Sequence, residues 1–236
     1  MVQPTSPLPF HGGVFAAQLE SDCAELRLPL ATDQIDLLLN YLAQMIKWNK
    51  TYNLTAIRSP EQMLLHHIVD SLAIIPEFAV RLAASSARIL DVGSGAGLPG
   101  IVLAIVRPDW EVSCIDAVEK KVAFIRQMAS VLKLPNLKAI HGRVEAEQGA
   151  SYDVVTSRAF ASLQDFAALS GRLVKDQGIL VAMKGMTPEN EIEALKDQGV
   201  WEVEEITRVM VPRLSAQRCL VWMKRKSGQS ETSSIE

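Results

Sequence analysis

Two spacings of apolar residues divide this chain. As far as about Arg81 hydrophobic positions recur every three to four residues. In TDQIDLLLNYLAQMIKWNK, Ile35, Leu38, Leu39, Leu42, Met45 and Ile46 share one face, the period of an amphipathic helix. Thr32 is the expected N-cap of that helix. After the break TYNLTAIRS, Pro60 suits the first turn of another helix, PEQMLLHHIVDSLAII, which Pro76 stops or kinks.

From Arg88 onward short β-branched runs alternate with helical stretches. RILDV precedes LPGIVLAIVRP, EVSCID precedes VEKKVAFIRQMASVL, and LKAIH stands third; YDVVTS then leads into SLQDFAALSGRLV, and GILVAMK into PENEIEALKDQ. This alternation predicts βαβ units and a parallel sheet covered on both faces. The last two strand-like runs, VWEVEEITRVMV and QRCLVWMKR, are joined only by PRLSA, too short for a crossover, so an antiparallel hairpin is expected at one sheet edge. The expectation is an α/β, Rossmann-like fold with seven strands. Residues 1–84 would form a helical extension packed on the core, 85–226 the core, and the polar residues 227–236 a disordered tail. The first ten residues, with three prolines, would be a loose arm.

Composition narrows this picture. With 236 residues, 48% of them hydrophobic, there is material for one well-cored domain and an accessory element. The N-terminal residues carry no basic and apolar leader pattern, and no window is expected to approach the roughly 18 apolar residues of a membrane span. A cytoplasmic protein without membrane contact is expected. Cys23, Cys114 and Cys219 are distant from one another and odd in number. They predict buried free thiols rather than a metal or disulfide framework. The net charge of −3 excludes a protein that wraps nucleic acid over its whole surface; RNA contact would rest on a local patch.

The chemistry centres on DVGSGAGLPG, residues 91–100, a glycine-rich turn between a strand and a helix. Such a turn brings backbone N–H groups close to a ligand. The dinucleotide fingerprint G-x-G-x-x-G would need a glycine where Leu98 stands; the pattern here is D-x-G-x-G-x-G, with Gly93, Gly95 and Gly97. Asp116, ending the next strand, suits the ribose hydroxyls of NAD and of S-adenosylmethionine (SAM) alike. Asp91 favours the second, because a carboxylate there repels pyrophosphate and suits a cationic amino-acid end. The remaining chain is also short for the substrate domain of a dehydrogenase.

Reading outward from this loop, the sequence resembles the RsmG (GidB) family of bacterial small-subunit ribosomal RNA methyltransferases. The motifs carrying the resemblance are WNKTYNLTAI (48–57), HHIVDSL (66–72), DVGSGAGLPGIVLAI (91–105), KKVAF (120–124), HGRVE (141–145), SRAF (157–160) and MKG (183–185). The resemblance implies a class I methyltransferase fold and methylation of N7 of one guanine in 16S rRNA, with SAM as donor and no metal. It also implies Gly93 and Leu98 at the methionine end of the donor, Val144 and Glu145 near the adenine, and Arg158 at the outer side. Many relatives carry Phe where Leu98 stands.

No Asn/Asp-Pro-Pro-aromatic stretch follows the fourth strand; SRAF is there instead. Guanine N7 bears a lone pair and no hydrogen, so it needs no general base. What remains is positioning, for which Arg158 and Lys184 are the candidates. His66, His67 and Asp70 are read as ordering the N-terminal helices against the mouth. Asn53 and Thr55 either bond the base or cap the next segment. Lys47, Arg58, Arg126, Arg143 and Arg218 are the candidate RNA contacts, with Lys50, Lys120, Lys121 and Arg213 as further cations. The partner expected is the small ribosomal subunit, met by a monomer. A non-catalytic SAM- or RNA-binding accessory protein and a small-molecule methyltransferase are the alternatives.

Overall fold

The computed structural model describes residues 12–82, 86–148, 152–158 and 160–226. The expected arm and tail lie outside these residues. Helices α1 (Gly12–Glu25) and α2 (Thr32–Tyr52) come first. Next, α3 (Pro60–Met63), a π-type turn (Leu64–Val69) and α4 (Asp70–Leu72) follow one another directly, before α5 (Ile75–Arg81). Both prolines act as expected, Pro60 starting α3 and Pro76 sitting in the first turn of α5. The N-cap of α2 is Ala31, not Thr32. Gln34 supplies what Thr32 was expected to give. Its side-chain oxygen accepts the Ala31 N–H at 3.1 Å, while its amide nitrogen donates to the carbonyls of Ile105 and Val106.

The sheet contains β1 (Arg88–Val92), β2 (Glu111–Asp116), β3 (Leu137–His141), β4 (Tyr152–Ser157), β5 (Val174–Lys184), β6 (Trp201–Arg208) and β7 (Cys219–Arg225). Between them run α6 (Gly100–Val106), α7 (Glu119–Val131), α8 (Leu163–Ser170) and α9 (Glu189–Gln198). The strand order is β3-β2-β1-β4-β5-β7-β6. The first five strands are parallel, and the β6–β7 hairpin closes one edge antiparallel to β5. β5 starts at Val174 rather than Gly178, because Val174 still pairs with Tyr152 across a register shift.

Alternation along the strands sorts the core into two. Ile89, Val112, Val154, Val181 and Trp222 face one side, where α6, α7 and the N-terminal helices pack. Leu90, Ile115, Val155, Leu180 and Val221 face the other, under α8 and α9. The N-terminal helices therefore share one apolar cluster with the sheet: Phe78 of α5 lies 5.4 Å from Trp222 of β7, ring centre to ring centre. The expectation about apolar windows needs a correction, because residues 60–81 are long and apolar enough to cross a bilayer. Their apolarity goes into this cluster, with 72% of the window buried. The three cysteines are free and buried, as expected.

Candidate functional site

In an open α/β sheet, ligands bind beyond the carboxyl ends of the strands where the winding direction reverses. Here that point lies between β1 and β4. The turn leaving β1 is tied down from three sides. Gly93 and Ser94 N–H groups donate to the Ile115 carbonyl at 2.9 and 3.2 Å. The Gly95 N–H donates to Asp116 Oδ2 at 2.9 Å, and the buried Tyr41 hydroxyl of α2 donates to the Ala96 carbonyl at 2.7 Å. Gly95 holds a left-handed backbone (φ +60°), and a Cβ built there meets nothing within 4 Å. Gly97 serves packing instead, because its Cβ would strike the Ile101 side chain.

Asp91 lies beneath this loop. It is fully buried, and its Oδ2 accepts the Gly100 N–H at 2.9 Å while Oδ1 has no hydrogen-bond partner among the described residues. Burial pushes its pKa up to about 7, against the opposing pull of the Gly100 N–H and Arg158. The first N–H of α6 is thus occupied by the protein's own carboxyl group, where a dinucleotide fold would present that helix end to phosphate. Asp91 is not among the crevice-lining residues, and through Gly100 it braces the start of α6 from beneath the loop.

The raised Asp91 pKa has a pH consequence. In the unfolded chain the carboxyl titrates near its ordinary 3.8 and in the fold near 7. The folded state therefore holds the extra proton between those values, and stability falls as pH rises through that window. Asp91→Asn keeps an acceptor for Gly100 and removes the ionisation. Its stability relative to wild type should rise from pH 4 to pH 7 and stay level above. Urea midpoints at pH 5 and pH 8 check this, and an equal difference at both would contradict it.

Above the loop opens a crevice of about 530 Å³, within the range of small-molecule sites. One wall is Gly93–Ala96 and Leu98; the other comes from residues 54–57, the π-type turn, Asp70, Arg158 and the end of β5. Asp70 is 5% exposed and joins two arginines from distant parts of the chain. Its Oδ2 accepts from Arg158 at 3.2 Å and its Oδ1 from Arg218 at 2.7 Å. His67 lies beside them, its Nε2 2.9 Å from Thr55 Oγ1 and its Nδ1 without a hydrogen-bond partner among the described residues. Burial, and then Arg158, lowers the His67 pKa to about 4, so its ring is neutral at pH 7.

The structure distributes the other expected residues as follows. Lys184 lines the crevice, but its ammonium is taken up by Glu191 at 2.8 Å and by the carbonyls of Phe160 and Ala161. It fastens the segment after β4 rather than reaching into the crevice. Asp116 uses both oxygens on the backbone, at Gly95 and Val118. Val144 is buried and Glu145 exposed on the turn after β3; that turn meets β2 through the Gly142 N–H on the Asp116 carbonyl. Asp116, Val144 and Glu145 lie outside the crevice lining, on the β2–β3 side of the glycine loop, whereas Arg158, Lys184 and Arg218 line it.

Among the cations, Arg126 is paired with Glu119, Arg58 touches Asn53, and Arg213 is held by both oxygens of Asp22 on α1. Lys121 lies 3.8 Å from Asp116. Lys47, Lys50, Lys120 and Arg143 project from the surface, and Arg218 is the arginine of this set in the crevice wall. Among the described residues no group of three or more His, Cys, Asp or Glu is placed to hold a metal.

Sequence reasoning missed Tyr41, Asn49 and Gly100. Asn49 is buried in α2, donates to the Ile57 carbonyl and accepts the Thr55 N–H, and so shapes the loop carrying Thr55. Its signal was available: a polar residue in register with the apolar face, four positions after Met45. A Cβ on Gly100 would collide with Cys114 Sγ and come within 3.1 Å of Asp91 Oδ2, so this glycine lets α6 lie against β2.

Residues 34–221 match the family model described as rRNA small subunit methyltransferase G. A Bordetella petrii protein named ribosomal RNA small subunit methyltransferase G is 58% identical over 212 residues, covering 89% of this chain and 83% of that one. The protein of the same name from Bordetella pertussis is 55% identical over 227 residues, covering 94% and 99%. Among solved structures, a SAM-dependent methyltransferase from Aquifex aeolicus superposes with a TM-score of 0.54 at 18% identity, covering 72% of this chain and 96% of that one. A ribosomal protein L11 methylase from Lactobacillus delbrueckii gives 0.51 at 14%, covering 67% and 77%. At such identities the structural likeness speaks for the fold alone, a class I methyltransferase fold.

Proposed function

This chain belongs to the rRNA small subunit methyltransferase G family, and we propose that it transfers its methyl group to N7 of a guanine presented at the crevice above the glycine loop. It is a SAM-dependent methyltransferase of 16S rRNA. The observation that carries the N7 reading is the crevice wall, whose titratable groups are poorly suited to take up a proton: Asp70 is engaged by Arg158 and Arg218, His66 is bonded to Gln62, and burial beside Arg158 leaves His67 a weak base. N7 attacks through an in-plane lone pair and has no proton to lose.

Gly93, Gly95 and Leu98 would hold the donor across the loop, with its adenosine toward Asp116, Val144 and Glu145 on the β2–β3 side. Three features of the chain fit such a ligand: the left-handed glycines, the open space above Gly95, and a helix end closed to phosphate by Asp91. When bound, SAM supplies a methyl group on a sulfonium, which leaves as a neutral thioether. The contribution of the protein is orientation and charge control. Arg158 and Arg218, balanced by Asp70, present guanidinium edges suited to the donor carboxylate, an RNA phosphate or guanine O6. The methylated ring becomes cationic, so a charged imidazole beside it would oppose the product. His67 stays neutral at pH 7 because it is buried next to Arg158. Lys184 acts at one remove, through the segment it fastens.

The test is transfer from labelled SAM to 30S subunits that lack the modification, followed by digestion of the 16S rRNA to nucleosides. The label should appear in 7-methylguanosine. Label in another nucleoside or in ribosomal protein would overturn the N7 reading, and SAM binding without any transfer would favour an accessory role. Arg158→Ala should weaken SAM binding or transfer at least tenfold with the melting temperature little changed; wild-type kinetics would show that Arg158 serves only the ion pair.

A further inference from the structure

Beside the crevice a second groove, of about 300 Å³, opens between the segment after β5 and the β6–β7 connection; the two share Gly185 and Arg218. Methyl transfer as described makes no use of it. Met186 and Met210 line it while standing 71% and 81% exposed, a large apolar display on a water-facing surface. The backbone under Met210 is anchored: Val209 and Val211 on either side are buried, and the Val209 N–H donates to the Arg218 carbonyl at 2.9 Å. Arg208, also in the lining, is exposed and its guanidinium makes no hydrogen bond or ion pair among the described residues. No carboxylate stands among the described lining residues, although the chain as a whole is acidic.

Resting on the reading that the crevice takes the target guanine, we propose that this groove holds the unstacked rRNA base next to that guanine. Its ring would lie on Met210 and Met186, and its phosphate against Arg208. Bringing the guanine to the donor removes it from its stack, which bares a face of the neighbouring base. Thioether side chains are polarisable and pack well on ring faces, and a guanidinium suits both a base plane and a phosphate. The absence of carboxylates lets the anionic backbone enter without repulsion. Continuity through Gly185 and Arg218 sets the groove next to the target position along the strand.

Two measurements on the full chain with 30S subunits lacking the methyl group decide this. Met210→Ala should raise KM for the subunit about five- to tenfold, the scale of one lost stacking contact, with the Kd for SAM unchanged. Met210→Leu, which keeps an apolar side chain, should stay within about twofold of wild type. An unchanged KM in Met210→Ala would overturn the proposal. In the second, a benzophenone amino acid replaces Met210 and is irradiated on the subunit. Cross-linking to a 16S nucleotide adjacent to the methylated guanine is the expected result. Cross-links to ribosomal protein, to remote rRNA, or none at all would overturn it. Cross-linking does not require turnover, so absence of methyl transfer by the wild type would strike the parent reading alone.

Discussion

Valine at position 95 abolishes SAM binding while the fold survives; that is the expected result, with the Kd raised more than 100-fold. Gly95 lines the crevice, and a Cβ there meets no protein atom within 4 Å. The added side chain therefore projects where the ligand must lie, not into the core. The fold bears only the strain of a non-glycine residue at φ +60°, about 1–2 kcal/mol. Gly100→Ala makes the opposite case. Its Cβ collides with Cys114 Sγ, on a side chain with no exposed surface, and forces α6 away from β2. Overpacking of that kind costs about 1–3 kcal/mol, and Asp91 loses its hydrogen bond to the Gly100 N–H as the helix moves. Calorimetric titration with SAM, paired with thermal denaturation, separates the two. Gly95→Val should melt within a few degrees of wild type without binding. Gly100→Ala should show the larger drop in melting temperature. SAM binding by Gly95→Val at wild-type affinity would remove the donor from this loop.

The second large effect is expected at Asp70. This carboxylate is almost fully buried between Arg158 and Arg218, whose side chains are 26% and 27% exposed. Truncating one member of a buried charge cluster leaves the others uncompensated, at about 3–5 kcal/mol when burial is complete. With both arginines partly solvated the figure falls to about 2 kcal/mol. For a chain of this size that lowers the melting temperature by about 4–8 °C. The kinetic loss should be larger in proportion. Two guanidiniums without their shared anion separate, and a displacement of about 1 Å in positioning groups costs on the order of 100-fold in rate. Asp70→Ala should therefore lose about 100-fold in kcat/KM on 30S subunits. Asp70→Asn, which retains acceptors but not charge, should fall between. If Asp70→Ala loses stability but keeps kcat/KM, the cluster is a fold element only.

Most of the sheet was legible because its signals are local. Runs such as RILDV and EVSCID are bounded by turn residues and became β1 and β2 at their expected limits. The start of β5 was not legible, because the pairing of Val174 with Tyr152 is decided across the sheet and not by its own neighbours. The site divides in the same way. The glycine turn announces itself in seven consecutive residues. The pairing of Asp70 with Arg158 and Arg218 joins residues 88 and 148 positions apart, and no periodicity reports it. The bond from Tyr41 to the Ala96 carbonyl, 55 positions away, was hidden for that reason; Lys184 and Glu191 are only seven positions apart, but they meet because the chain turns back between β5 and α9, which no periodicity reports. Asp91 shows the remaining limit: its sequence position marks it as part of the loop, while the side-chain direction, set by the strand, turns it under the loop toward α6.

One measurement bears most directly on the claim that the donor crosses the glycine loop with its reacting end in the crevice: a crystal structure of this protein with S-adenosylhomocysteine. The ligand should lie over Gly93–Leu98, its sulfur facing the space between His67 and Arg158 and its adenine reaching toward Val144 and Glu145. Density instead in the cleft at the opposite sheet edge, lined by Trp110, Asn136 and Tyr152, with the crevice above Gly95 left empty, would contradict it.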